Sequence, residues 1–349
     1  MRILPRGNWQ DETGEITPPA TPHFLPGPKP AEGQRLTRLD LANWIASPEN
    51  PLTARTVMNR LWKQLFGTGL SAVVDDLGAQ GEPPSHPELL DWLAAEFRDS
   101  GWNTKHLIRL LVTSKTYRQH SSQRVEYKDL DPANRLLAAQ NPRRLEAEFV
   151  RDNALSIAGL LNPEIGGPSI KPWQPPGYYA NLQFPDRDYR ANEDGGQWRR
   201  GVYMHWQRTF LHPMLANFDA PMRDECAAAR MVSNTPQQAL TLLNDPTFAE
   251  AARVFAQRLL THPAPDDTAR LRHAWQLALA RPPEPAELDS ILTYLRTQRD
   301  TFTKTPEDAA RVIQAGSAPG APELAPVELA AWTATCRVIL NLHETITRF

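Results

Sequence analysis

The sequence predicts a mainly α fold, a multi-helix globular architecture with long proline-rich loops and at most a small β element. Three observations carry this expectation. At least six segments place apolar residues at helical spacing between capping signals. Only one short run has strand character. The 33 prolines cluster between the periodic segments rather than inside them, where each would remove a helix hydrogen bond. A chain of 349 residues can bury a sizeable core as one large domain or as two smaller ones sharing an interface, and two is the preferred reading.

Residues 1–33 are expected to run as an extended segment, because ITPPATPHFLPGPKPAEG (16–33) cannot sustain a regular hydrogen-bond ladder. An N-terminal helical subdomain is expected over 34–165. In NPLTARTVMNRLWKQLFGTG (50–69), Asn50 reads as an N-cap, Pro51 suits the first helical position and Gly67 supplies a left-handed stop, so a helix runs from about Pro51 to Phe66. Val57, Leu61 and Leu65 form one i, i+4 row and Met58, Trp62 and Phe66 the adjacent one, which together make the core face. Arg55, Thr56, Asn59, Arg60, Lys63 and Gln64 form the other face. It reads first as solvated, with Arg55 and Arg60 against carboxylates or gripping a ligand as the alternatives.

The same grammar recurs along the chain. Ser85 and Glu88 suggest a capping box ahead of the stripe Leu89, Leu93 and Phe97, which stops near Gly101. Leu107, Ile108, Leu110 and Leu111 continue the set, and RRLEAEFVRDNALSIAGLL (143–161) is a further strong helix. Residues 166–232 read as an irregular, aromatic and proline-rich connecting region, with little periodicity over 170–198. RGVYMHWQRTF alternates weakly and is the one strand candidate. A C-terminal helical subdomain is expected over 233–349, opened by Thr235, Pro236 and Gln238 as a capping box with proline in the first turn.

With 38 basic and 40 acidic residues the chain offers no general electrostatic attraction for nucleic acid or an anionic membrane. No apolar run approaches the roughly 20 residues of a membrane helix, and MRILPRGNWQDE has no export-signal core. The two cysteines, Cys226 and Cys336, could form one disulfide, but no CxxC or CxxCH occurs.

Candidate chemistry concentrates in the connecting region. His205, Arg208, His212 and Asp219 fall close together in an irregular stretch, the types needed for a histidine base oriented by an aspartate, although no serine or cysteine nucleophile sits in a recognised elbow. Trp173, Tyr178 and Tyr179 could stack on sugar rings; the competing reading is that they pin a proline-rich crossing to the core. Glu148 and Asp152 share a helix face and could divide acid and base roles, yet Arg144 and Arg151 beside them make a mixed-sign ladder, which is more often structural. His343-Glu344 begins like HExxH but lacks the second ligand, so no metal site is expected. Cys226 follows Asp224 and Glu225, an acidic setting that raises a thiol pKa.

The succession NWIASPENPLTARTVMNRLWKQLFGTGL, PSHPELLDWLAAEF, KHLIRLLVTSKTYRQHS, DPANRLLA, RRLEAEFVRDNALSIAGLL, FDAP, NTPQQALTLLND and NLHETITRF resembles, in order from about Arg35 to Phe349, the planctomycete cytochrome-associated C-terminal domain family labelled PSD1, a domain of unknown function. The resemblance implies a place at the end of a longer periplasmic or extracellular protein. Haem c and an export signal would then lie upstream, with no cofactor in this chain, and Met1 is expected to begin a fragment. It implies no catalytic residues. Two functions are expected from it: an accessory or substrate-presenting module that packs on upstream domains of the same polypeptide and meets a glycan or envelope protein, or a catalytic domain acting on an extracytoplasmic substrate such as a polysaccharide.

Overall fold

The computed structural model describes residues 2–31, 33–122, 125–127, 129–179, 188–208 and 210–349. Among these the chain forms twelve helices, with 47% of residues helical and 3% in strands, a globular α-type fold. The chain divides into two compact units, Met1–Asn141 and Pro142–Phe349. Residues 180–187 of the aromatic loop and Thr209 of the strand candidate lie outside the described residues.

The first unit holds α1 (Arg38–Ile45), α2 (Thr53–Phe66), α3 (Pro87–Asp99) and α4 (Thr104–Thr113). Its core is Met58, Trp62 and Phe66 of α2 against Leu90, Leu93 and Phe97 of α3 and Leu107 and Leu111 of α4. Trp62 stacks on Phe66 with ring centroids 4.0 Å apart, and Phe66 meets Tyr117 edge-on. Gly67 closes α2 at φ 88°, a conformation that an L side chain rarely adopts.

Three local expectations need correction here. The helix begins at Thr53 rather than Pro51, because the Asn50 side chain accepts from the N–H groups of Leu52 and Thr53, two and three residues further on. The Ser85–Glu88 capping box does not form: His86 occupies the N-cap, and the Ser85 N–H donates to the Leu70 carbonyl instead. Asn59, expected on the polar face, is buried. Its amide donates to the Ser71 carbonyl and accepts from the Ser71 N–H, closing the turn after α2. On the same face Arg55 donates to Asp91 of α3 at 2.6 Å, while Arg60 is exposed.

The second unit opens with β1 (Arg143–Arg144) and α5 (Ala147–Ala158), followed by irregular chain and α6 (Pro213–Asn217). Next come α7 (Pro236–Asn244), α8 (Pro246–Thr261), α9 (Asp267–Leu279), α10 (Pro285–Lys304), α11 (Pro306–Val312), α12 (Pro326–Leu340) and β2 (Thr347–Arg348). The two strands pair antiparallel, Arg143 opposite Arg348. Seven of the twelve helices start at a proline, where the missing N–H is one the helix cannot satisfy anyway, and this is where many of the prolines go.

α12 is the buried axis of this unit, packing on α8 and α10. Its Ala330 and Ala331 and the Ala251, Ala252 and Ala256 of α8 are fully buried, and small side chains there let the backbones approach while Phe248, Phe255 and Trp332 fill the space around them. Arg299 of α10 binds Asp267 of α9 and Glu328 of α12, and Arg281 binds Glu287 and Glu344. The Thr235 capping box is absent, since the Gln238 amide donates to Ser233. The strand candidate is instead a short 3-10 turn, Gly201–Tyr203, touching Ile170 through a single bridge at Met204.

Trp62→Ala should lower the stability of the first unit by about 3 to 5 kcal/mol, the usual cost of truncating a buried aromatic, read by urea unfolding. In the second unit the Arg281 guanidinium, against a smaller opposing effect of burial, holds the Glu287 carboxyl down to about 2. A depressed carboxyl contributes stability that is full above its unfolded value near 4.5 and is lost as pH falls through about 2. Arg299 lowers Asp267 in the same sense. Melting temperature should therefore fall on acidification below pH 4.5, and Glu287→Gln should flatten that dependence.

Candidate functional site

The candidate region is built on α5, whose polar side chains face irregular backbone. Arg151 is completely buried, with 0% exposure, and its two terminal nitrogens donate to the carbonyls of Arg199 and Gln197. Asp152 accepts from the Gly201 N–H at 2.7 Å. Glu148 accepts two hydrogen bonds from Arg230, at 2.6 and 3.1 Å. Gly201 lies so close to α5 that a β-carbon there would stand 2.8 Å from the Glu148 Cβ, so only glycine fits without displacing the turn.

Burial disfavours charge at the centre of this arrangement. It pushes Asp152 up, opposed by the Gly201 N–H and Arg151. It also raises Asp245, opposed by the hydrogen bonds from Thr247 at the α8 N-terminus and by Arg151. Burial lowers Arg151, against the attraction of Asp152 and Asp245. Shifted carboxyls of this kind mark functional sites in some proteins and structural ion networks in others. Here both acids already hold backbone N–H groups in place.

His212 caps α6 from a buried position. Its Nδ1 accepts from the Met214 N–H and its Nε2 donates to the Trp173 carbonyl at 2.8 Å, an arrangement that assigns the neutral Nε2–H tautomer. Burial pushes its pKa down to about 4 despite the Trp173 hydrogen bond, and nearby Arg151 adds to the depression. Asp219 sits in left-handed backbone, φ 61°, and accepts from Arg144 at 2.5 Å and from the Ser233 N–H and hydroxyl. Burial works to raise its carboxyl, but these partners outweigh it and leave the pKa below the ordinary carboxylate range. Arg208 pairs with Asp224 on the exposed surface at 3.0 Å. His205 is half-buried, its backbone N–H donating to the Ile170 carbonyl.

The aromatics divide. Tyr179 is buried against Tyr189 and Phe210, and the Tyr178 hydroxyl donates to the Leu211 carbonyl. Trp173 is 39% exposed, with its backbone held by Gln197 and His212. Among the described residues of this stretch, Trp173, Tyr178, His212 and Asp219 thus tie neighbouring backbone together within the second unit. Elsewhere, Glu344 binds Arg281, and Cys226, exposed, and Cys336, buried, are both free. Among the described residues no group of three or more histidine, cysteine or acidic side chains is placed to hold a metal ion, and no helix is long and apolar enough to cross a membrane.

Arg151 is the residue that sequence reasoning missed as an organiser. The sequence reads Arg151 only as one member of a structural mixed-sign ladder, and its carbonyl acceptors lie 46 and 48 residues away. The one local signal is its place beside buried Val150, Ala154 and Leu155.

These observations describe a mainly helical protein in which buried charged side chains anchor loops. Residues 37–295 match the family PSD1, protein of unknown function (DUF1553), and the chain belongs to that family. No curated protein and no solved structure matches it.

The depressed His212 supplies a test. A histidine that resists protonation in the folded state contributes stability that is full above its unfolded value of 6.5 and is lost as pH falls toward about 4. The loss is at most on the order of 3 to 4 kcal/mol, at about 1.4 kcal/mol per pKa unit of depression. His212→Asn should remove this part of the pH dependence in urea titrations, and the His212 ring should stay neutral at pH 6 by NMR.

Proposed function

We propose that the chain is an accessory interaction module of a periplasmic or extracellular, cytochrome-linked protein of the planctomycete type, docking on a haem-bearing domain upstream in the same polypeptide. One observation carries this reading. His212, Asp219 and Arg208 bond to a backbone carbonyl, an arginine with a serine, and a surface aspartate respectively, which describes fastening of a scaffold better than assembly of an acid–base set. The outer side of the same scaffold also offers contact area. Phe149, Val202 and Met231 are 57%, 72% and 79% exposed, and each follows directly a residue that meets at Glu148: Glu148 itself, Gly201 and Arg230. Exposed apolar side chains flanking an ordered ion pair suit a protein interface better than open solvent. The resemblance to the cytochrome-associated family supports the choice of partner.

The test pairs binding with turnover. Calorimetric titration of the chain with the haem-bearing domain encoded upstream should show binding, weakened at least about tenfold by Phe149→Glu with Met231→Glu, as for central interface residues, with the melting temperature unchanged. A gene without an upstream CxxCH would contradict the cytochrome linkage. Release of reducing ends from a soluble polysaccharide, lost in His205→Ala or Asp219→Asn at unchanged fold, would replace this reading with the catalytic one.

A further inference from the structure

In the first unit the proline-rich segment folds against α1 and leaves a cleft. A turn closes from the Leu25 N–H to the Pro22 carbonyl, and the Trp44 indole of α1 donates to the Pro26 carbonyl, so the segment is tied to the helix. Gly27 presses on Thr21, where a β-carbon would stand 1.9 Å from the Thr21 hydroxyl oxygen. Between the segment and the helix lies a space of about 410 Å³, within the range of small-molecule sites. Its lining is mainly apolar, with Pro19, Ala20, Pro28, Leu36 and Leu41. Arg35 and Arg38 also line it.

The two arginines decide the ligand chemistry. Neither makes an ion pair or side-chain hydrogen bond with another described residue, whereas Arg55, in the same unit, is paired with Asp91. Asp40, two residues after Arg38, is engaged in the α1 cap, where its carboxylate accepts from the Thr37 N–H and hydroxyl. The cleft therefore joins an apolar wall to two guanidinium groups that no other described residue pairs. α1 buries none of its residues, and its Leu39 and Ile45 are exposed, so the helix carries apolar surface beyond what the fold uses.

We propose that this cleft binds a monomeric amphipathic anion, an aliphatic chain ending in a carboxylate, with the chain along Pro19, Pro28 and Leu41 and the head group between Arg35 and Arg38. The guanidinium fork matches a carboxylate's two oxygens, and the apolar body supplies the area that an exposed ion pair alone would not.

The experiment is isothermal titration of the whole chain with sodium decanoate below its critical micelle concentration. Saturable binding at one site per chain is expected, weakened about tenfold in Arg35→Gln with Arg38→Gln. Both substitutions fall on exposed side chains without bonds to other described residues, so the variant should melt as the parent does. Leu41→Asp, also at an exposed position, should abolish binding by charging the apolar wall. Acetate, which has the charge alone, and octyl glucoside, which has the apolar body alone, should not compete. The proposal is overturned by an absence of saturation, by equal affinity in the double arginine variant, by octyl glucoside competing as well as decanoate, or by binding to anionic vesicles without binding to monomeric decanoate.

Discussion

The second unit depends on a guanidinium buried where no water reaches it. Taking an arginine out of solvent costs several kcal/mol, and the structure can carry that cost only if its donors find acceptors. The two terminal nitrogens of Arg151 find them in the carbonyls of Gln197 and Arg199, backbone groups of an irregular segment that has no ladder of its own to satisfy them, while its Nε has no hydrogen-bond partner among the described residues. Two needs are met by one contact. The segment is thereby held in register on α5, which brings Gly201 onto Glu148 and its N–H onto Asp152. From there the chain runs to the Met204–Ile170 bridge and then to His212, which grips Trp173.

The same solution appears a second time on α8. Glu250, buried, accepts from the N–H groups of Ser317 and Ala318, while Arg253 donates to the carbonyls of Ala315, Ala318 and Pro319. Trp198 donates to the other Glu250 oxygen and so links the two loops. In both places charged side chains on a regular helix supply the hydrogen bonds that an irregular connection lacks. This explains how an α fold with 33 prolines keeps its long connections in place, and why carboxylates that resemble chemistry in the sequence hold loops in the structure.

What was legible in the sequence follows the range of the interactions. The core face of α2, with Met58, Trp62 and Phe66, could be read from spacing because helical periodicity is local. The proline-led starts were readable for the same reason. Asn59 was not, because its burial depends on Ser71, which the turn after the helix brings back to it. Asp219 was noticed as an acid near histidines, yet its partner Arg144 lies 75 residues earlier and only the fold brings the two together. Arg151 was hidden by its type, since charged residues are almost never fully buried unless paired. The weak alternation around Met204 misled because a single bridge to Ile170 leaves no neighbouring strand to extend it.

Arg151 sets the position of the 197–205 segment through its bonds to Gln197 and Arg199. Hydrogen exchange on Arg151→Met, which keeps the volume and removes the donors, tests it most directly. The amides of Gly201, Met204 and His205 should lose protection while those of α8 and α12 keep theirs. Unchanged protection at Gly201, Met204 and His205 would contradict it.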